Sequence, residues 1–326
     1  MRRLSSLSTA SSDLTDIGIP PYRLSNRTTQ YYLDMPERGE VLDDDTGKQI
    51  CFNVYIIQVL AKSKVKERRK MFSSVDSQQL AQRRGDYGFD APYVPIMFLC
   101  VGLAVIVLGL LAFLLWQSPL WGIICLLYGG CMLFSGASYI YTTRRGKFQV
   151  WAELLVGLNL LGDEQILDIG CGRGAVLLMA ARFLNEGKAT GVDIWSTSDQ
   201  SGNAREVTLK NAEREGVAKK VELYTADMRE LPFANETFDL VMSSLAIHNI
   251  SQREGRDKAL AEAVRVLKPG GRLIIADIRE TKRYAEQLHK LGMSDVNRQM
   301  LDWRFWYGAP WVMTNLVKAN KPLGSS

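Results

Sequence analysis

Three acidic residues, Asp168, Asp193 and Asp227, each stand at or near the end of a short apolar run, and the glycines Gly170, Gly172 and Gly174 follow the first of them. Alternate glycines after a strand let the backbone approach a ligand closely before a helix begins. Alone, this loop is ambiguous, because Gly170, Gly172 and Ala175 also fit the looser G-x-G-x-x-A form of a dinucleotide fingerprint. The acids discriminate. Asp168 lies inside the first strand, ahead of the loop, where a dinucleotide has no use for a carboxylate but a cationic amino acid bearing a sulfonium does. Asp193, in Gly191-Val-Asp-Ile194, can accept hydrogen bonds from both hydroxyls of a ribose. Asp227, in Thr225-Ala-Asp-Met228, can accept from an adenine amino group while Met228 packs on the ring. Any one of these acids alone reads equally as a cap or turn residue; their joint spacing at three successive strand ends does not.

Residues 150–320 resemble a class I S-adenosylmethionine-dependent methyltransferase, of the kind related to the ubiquinone and menaquinone biosynthesis methyltransferases. The resemblance is carried, in family order, by ILDIGCGRG, GVDI, ADMRELPFANETFDLVMSSLAIHNI and LKPGGRLIIADI. It implies S-adenosyl-L-methionine as the cofactor. It implies further that Asp168, Gly170, Gly172 and Gly174 hold the methionine part, Asp193 and Ile194 the ribose region, and Asp227 and Met228 the adenine. Ser244, after the fourth strand, would face the methyl donor.

Methyl transfer from a sulfonium is an in-line displacement, so alignment does much of the work and a base is needed only for a protonated acceptor. His248 follows the fourth strand, where the acceptor should lie, and imidazole titrates near neutral pH. It reads either as that base or as a structural histidine at a helix end. Cys171, inside the glycine loop, reads as a small packing residue rather than a nucleophile. The Asn/Asp-Pro-Pro-aromatic motif of nucleic-acid amino methyltransferases is replaced by Ser243-Ser244-Leu245-Ala246, and arsenite methylation would need several cysteines where only Cys171 is at hand. The metal-dependent catechol class is likewise disfavoured.

These residues require a sheet to position them. From residue 149 onward, short apolar runs alternate with amphipathic segments, the pattern of a doubly wound α/β domain with a mainly parallel, seven-stranded sheet over residues 149–320. Strands are predicted at residues 165–169, 189–193, 221–225, 238–243 and 272–277, with a last pair between about 303 and 319. The clearest helix is 257–267, closed by Pro269-Gly270-Gly271. The polar insert from Trp195 to Asn203 reads as a cover for the site or as a solvated loop. Trp303, Phe305, Trp306, Tyr307 and Trp311 read as core of the last hairpin or as an apolar surface near a bilayer.

The remainder of the chain points to a membrane. Residues 91–143 contain no Asp, Glu, Lys or Arg, and 94–116 and 120–141 are each long enough to span a bilayer. Gln117, Ser118 and Pro119 supply a tight reversal, six glycines allow close packing in lipid, and Trp116 and Trp121 flank the turn. The competing reading, a pair of buried core helices, would need more surrounding protein than residues 1–90 supply. Basic residues from Lys62 to Lys70, with Arg83, Arg84, Arg144, Arg145 and Lys147, flank the pair, while its turn is uncharged. Both flanks are therefore expected in the cytosol, and the basic run serves as a topology signal or rests on anionic head groups. Residues 1–40 are expected to be disordered. Residues 41–90 form a basic juxtamembrane segment in which 51–61 reads as a short hairpin or a helix.

A net charge of +5, spread thinly over 326 residues, forms no nucleic-acid stripe. Five cysteines show neither metal-ligand spacing nor a disulfide framework. Arg2, Arg3 and several serines near the start lack the apolar run of a secretory signal, which leaves at most a weak targeting extension. The expected function is an integral-membrane methyltransferase acting on a lipophilic small molecule. The alternatives are methylation of a membrane protein or soluble metabolite, and a catalytically silent cofactor-binding scaffold. Oligomeric state is left open.

Overall fold

The computed structural model describes residues 76–197, 200–308 and 312–324. The expectations for residues 1–40, for 51–61 and for the basic residues 62–70 lie outside the described residues, as does Trp311.

Seven strands form one sheet in the order β3-β2-β1-β4-β5-β7-β6. They are β1 Gln165–Ile169, β2 Lys188–Asp193, β3 Val221–Thr225, β4 Phe238–Ser244, β5 Leu267–Asp277, β6 Ser294–Met300 and β7 Asn315–Asn320. The first five run parallel, and β7 is antiparallel to both its neighbours. Alternation along the strands explains a core on both faces. Ile166, Leu240, Met242 and Ile274 belong to one apolar cluster, whereas Leu167, Ile169, Val241 and Ile275 belong to the other. Strand order reverses between β1 and β4. Such a switch point opens a crevice at the carboxyl ends of the strands.

The helices are α1 Ser77–Ala81, α2 Tyr93–Leu114, α3 Pro119–Tyr141, α4 Lys147–Gly157, α5 Ala175–Ala181, α6 Arg205–Arg214, α7 Arg253–Val266 and α8 Thr281–Lys290. Two details differ from the sequence expectation. The final strand pair does not start near residue 303: β6 lies at Ser294–Met300, and Trp303–Phe305 is a single 3-10 turn. Because β6 is a mostly exposed edge strand of polar residues, it carries no apolar run to reveal it. Pro269-Gly270-Gly271 does not close the preceding helix either but lies within β5, where the Gly270 N–H donates to the Lys321 carbonyl at 2.7 Å.

α2 and α3 pack as an antiparallel pair joined by residues 115–118. Their backbones approach where glycines face each other: a Cβ on Gly102 would lie 3.0 Å from the Gly129 carbonyl oxygen, and one on Gly109 would lie 3.0 Å from that of Gly122. Both helices are long and apolar enough to cross a membrane. Only 17% of the most apolar window of α2 is buried, and 22% of that of α3, so neither is a core helix of the α/β domain.

The pair is not loosely tethered. α3 runs through a wide π turn, Thr142–Gly146, directly into α4, whose Phe148, Trp151 and Leu155 are buried in the core of the α/β domain. The C-terminal aromatic residues, expected chiefly in the core of the last hairpin, instead fill the joint. Tyr307 packs edge-on to Tyr139 at 5.0 Å, Trp303 stacks on Tyr141 at 5.3 Å, and the Thr142 hydroxyl donates to the Trp306 carbonyl at 2.6 Å. Large flat rings suit this concave corner, and a side chain on Gly146 would collide with the Arg304 carbonyl, 1.8 Å from its Cβ position.

Candidate active site

Parallel strands aligned in register bring their ends to one edge of the sheet. Asp168 is level with Gly191 of β2 and Met242 of β4, so the loops after β1, β2 and β4 surround one crevice. In the glycine loop, Gly170, Gly172 and Gly174 all adopt positive φ, at +73°, +51° and +86°. At Gly170 a side chain is excluded by space as well, since its Cβ would stand 2.2 Å from that of Ala246. The Gly170 and Cys171 amides donate to the Val192 carbonyl at 2.8 and 3.1 Å, which fixes the loop against β2.

One cavity of about 1180 Å³ is lined by Asp168, Gly170, Gly172, Asp193, Ile194, Asp227, Met228, Ser244 and His248 together. Gly174 is the exception among the sequence candidates. It is the N-cap of α5 and faces Leu178 and Thr208, so it shapes the turn without lining the cavity.

Asp168 is 1% exposed, and its Oδ1 has no hydrogen-bond partner among the described residues. Burial, with a smaller contribution from Asp193, pushes its carboxyl up to about 7. The Leu177 amide hydrogen-bonds to this carboxyl, and the unpartnered Oδ1 beside the cavity asks for a cationic partner. Asp193 is organised differently. Its Oδ2 accepts from the Gly172 amide at 2.7 Å, and its Oδ1 accepts from the Trp195 amide at 2.6 Å and the Asn203 side chain at 3.2 Å. Asp227 is clasped by Arg229, whose Nε donates to both carboxylate oxygens at 3.0 Å, and these bonds hold its carboxyl below the usual range. It therefore stays an acceptor.

The insert after β2 lies over the glycine loop rather than free in solvent. Gln200 Oε1 accepts from the Arg173 amide at 3.0 Å, while its Nε2 donates to the Tyr87 carbonyl at 3.1 Å. Cys171 packs against Gly191, and burial raises its thiol well above the ordinary value, so it stays protonated and inert.

His248 sits in a 3-10 turn, Ile247–Asn249, with its side chain 15% exposed at the cavity wall. Its Nδ1 lies 2.5 Å from Oδ1 of the fully buried Asp277, at ion-pair distance though without the alignment of a hydrogen bond. The His248 amide donates to Asp277 Oδ2 at 3.1 Å, and the Tyr284 hydroxyl approaches the same oxygen at 3.4 Å. Asp277 was not singled out from sequence, although it ends the fifth strand and obeys the rule that picked out the other acids. Lys147, Trp151 and Asp90 also reach this cavity; the sequence marks Lys147 only as a flanking basic residue and the other two not at all, because all three lie in the flanks of the helical pair.

Residues 167–275 match the methyltransferase-domain family. This part of the chain is a class I methyltransferase domain. Its cofactor is S-adenosylmethionine, and the residues present fit it: the unpartnered Oδ1 of Asp168, the positive-φ backbone of Gly170 and Gly172 in the cavity wall and the acceptor at Asp227. The domain is 35% identical over 127 residues to the sterol 4-C-methyltransferase strm-1 of Caenorhabditis elegans, covering 39% of this chain and 35% of that protein. It is 30% identical over 143 residues to the ubiquinone/menaquinone biosynthesis C-methyltransferase UbiE of Roseobacter denitrificans, covering 44% of this chain and 54% of that one. A phthiotriol/phenolphthiotriol dimycocerosates methyltransferase of Mycobacterium leprae is 28% identical over 165 residues, covering 48% and 56%. The chain thus spans between about a third and just over half of the length of these relatives. The methyltransferase domain accounts for the matched part, while α2 and α3 lie outside the residues that the family covers.

Proposed function

We propose that this chain is a membrane-anchored enzyme that transfers a methyl group from S-adenosylmethionine to a lipophilic small molecule, with its catalytic domain on the cytosolic side. The observation that carries this reading is the shared cavity: the strand-end acids of the methyltransferase domain and the base of the apolar helical pair line the same space. The names of the relatives, a sterol, a quinone and a phthiotriol methyltransferase, support the same acceptor class. The exposed apolar flanks of α2 and α3 support insertion in a bilayer, and Arg144, Arg145 and Lys147 after an uncharged turn support the cytosolic placement.

Bound in the cavity, the cofactor supplies an electrophilic methyl group on a sulfonium. Asp168 holds the cationic methionine end, Gly170 and Gly172 line its bed, and Asp193 with Ile194 borders the ribose. Asp227 accepts from the adenine amino group beside Met228. Ser244 accepts from the Trp151 indole N–H at 2.9 Å, which fixes the wall between the cofactor side and α4. His248 takes the proton of the acceptor at Nε2, while the Asp277 carboxylate faces Nδ1 on the other side of the ring.

The test is incubation of membranes carrying the full chain with methyl-labelled donor, comparing wild type with Asp168→Ala. Label in extracted lipid that disappears in the variant is the expected result. Label in protein would instead indicate methylation of a membrane protein, and no label in either fraction would indicate a silent cofactor-binding scaffold. Release of the protein from membranes by alkaline carbonate would overturn the anchoring.

A further inference from the structure

Besides the cofactor-facing acids, the cavity has an apolar end formed by Val94 and Phe98 of α2 with Val312 of the C-terminal segment. A single small-molecule pocket occupies roughly 300–1,000 Å³. The cavity, at about 1180 Å³, exceeds that range and accommodates a second ligand beside the cofactor.

The chemistry of this end is specific. Among the described residues, the charges that α2 and α4 and their flanks bring to the cavity are matched to each other: Lys147 Nζ lies 2.8 and 2.6 Å from the two oxygens of Asp90, and the Tyr307 hydroxyl donates to Asp90 Oδ2 at 2.8 Å. With those groups spent on each other, the wall presents hydrocarbon and aromatic surface. A polar metabolite would lose its hydration there without finding a partner. On the first two turns of α2, Ile96 and Met97 are 59% and 53% exposed on the outer surface, while Val94 and Phe98 line the cavity. One short stretch of helix therefore touches both the outer apolar surface and the interior of the site.

We infer that the methyl acceptor is a bilayer-dissolved lipid with one proton-bearing polar end, loaded along the first two turns of α2. Its apolar body lies against Val94, Phe98 and Val312, and its reacting end reaches His248. The hairpin is then a wall of the acceptor site as well as an anchor. This inference rests on the membrane reading proposed above.

The test uses the full chain in phosphatidylcholine vesicles with hexadecanol bearing a photoreactive diazirine, followed by mapping of the crosslinks by mass spectrometry. The expected crosslinks fall on Val94, Phe98 and the peptide containing Val312, and excess unlabelled hexadecanol competes them away. Val94→Trp, which fills the chamber, should reduce them roughly tenfold, with S-adenosylmethionine binding retained as the check on folding. Phe98→Trp gives the same readout by a smaller change in volume if Val94→Trp does not fold. Ile123→Trp, on the exposed flank of α3, should leave the crosslinks unchanged. Crosslinks confined to outward residues of α2 and α3, and unaffected by Val94→Trp or Phe98→Trp, would overturn the inference while leaving the membrane reading standing. Failure of the protein to float with the vesicles would overturn both.

Discussion

The indole N–H of Trp151 donates to the hydroxyl of Ser244 at 2.9 Å, across 93 residues of sequence. Trp151 belongs to the helix that continues α3 out of the apolar pair, and Ser244 ends the strand that borders the cofactor cavity. One hydrogen bond therefore links the helix that continues the apolar pair to the sheet edge that borders the cavity. The Tyr139–Tyr307 ring contact, at 5.0 Å, packs the same joint.

Trp151→Phe keeps a ring in a site that is 1% exposed but removes the donor. The loss should be about 0.5–1.5 kcal/mol plus a small volume term. In a body of this size that lowers the melting temperature by about 2–4 °C per kcal/mol. Thermal unfolding in detergent checks it; an unchanged midpoint would mean that the bond carries no weight.

Asp168 predicts a pH dependence of cofactor binding. Its folded carboxyl is raised to about 7, above the ordinary carboxylate value, so the cofactor-free protein binds a proton there that the unfolded chain has released. Its contribution to stability is thus fully present at pH below the unfolded value and is lost as pH rises through about 7. Cofactor binding calls for the ionised form, so affinity should rise between about pH 6 and 8. Asp168→Asn should flatten that rise and weaken binding at pH 8 by about ten- to a hundredfold, while raising the melting temperature of the cofactor-free protein at the same pH. Calorimetric titration across the pH range measures the first effect.

His248→Gln should lower turnover by about 10²–10⁴-fold, the usual contribution of a general base, with cofactor affinity within error of wild type. Asp277→Asn should also lower turnover, since it changes what His248 Nδ1 faces. The double variant should be little worse than His248→Gln alone, because both act through one imidazole. Additive losses would separate Asp277 from His248. The assay is label transfer into extracted lipid at saturating donor.

Asp90→Asn leaves the Lys147 ammonium, 7% exposed, without its countercharge. Stranding a buried charge costs about 3–5 kcal/mol. Adding Lys147→Met to it should recover much of the loss, as neutral partners no longer need each other. Chemical denaturation of both variants checks this. A double variant less stable than Asp90→Asn would show that the ammonium has another essential partner.

The sheet and most of its cofactor edge were legible in sequence because their signals are local. Each of Asp168, Asp193 and Asp227 stands within one or two residues of an apolar strand whose end defines its place, and the parallel register does the rest. Asp277 could have been read the same way at the end of β5. β6 could not, since an exposed edge strand needs no apolar pattern to pair with β7. Gly174 reads from sequence as part of the methionine bed, and its absence from the cavity wall depends on where Leu178 and Thr208 pack.

By itself, the sequence determined the identity of the domain, its cofactor and the two apolar helices, all from patterns within a few residues. Only the tertiary structure decided that these helices wall the same cavity as the acids. That outcome depends on Asp90 meeting Lys147 and Tyr307, and on Tyr139 and Tyr141 meeting Tyr307 and Trp303. Partners up to 217 residues apart are joined by packing rather than by any local pattern, so no stretch of sequence could announce them.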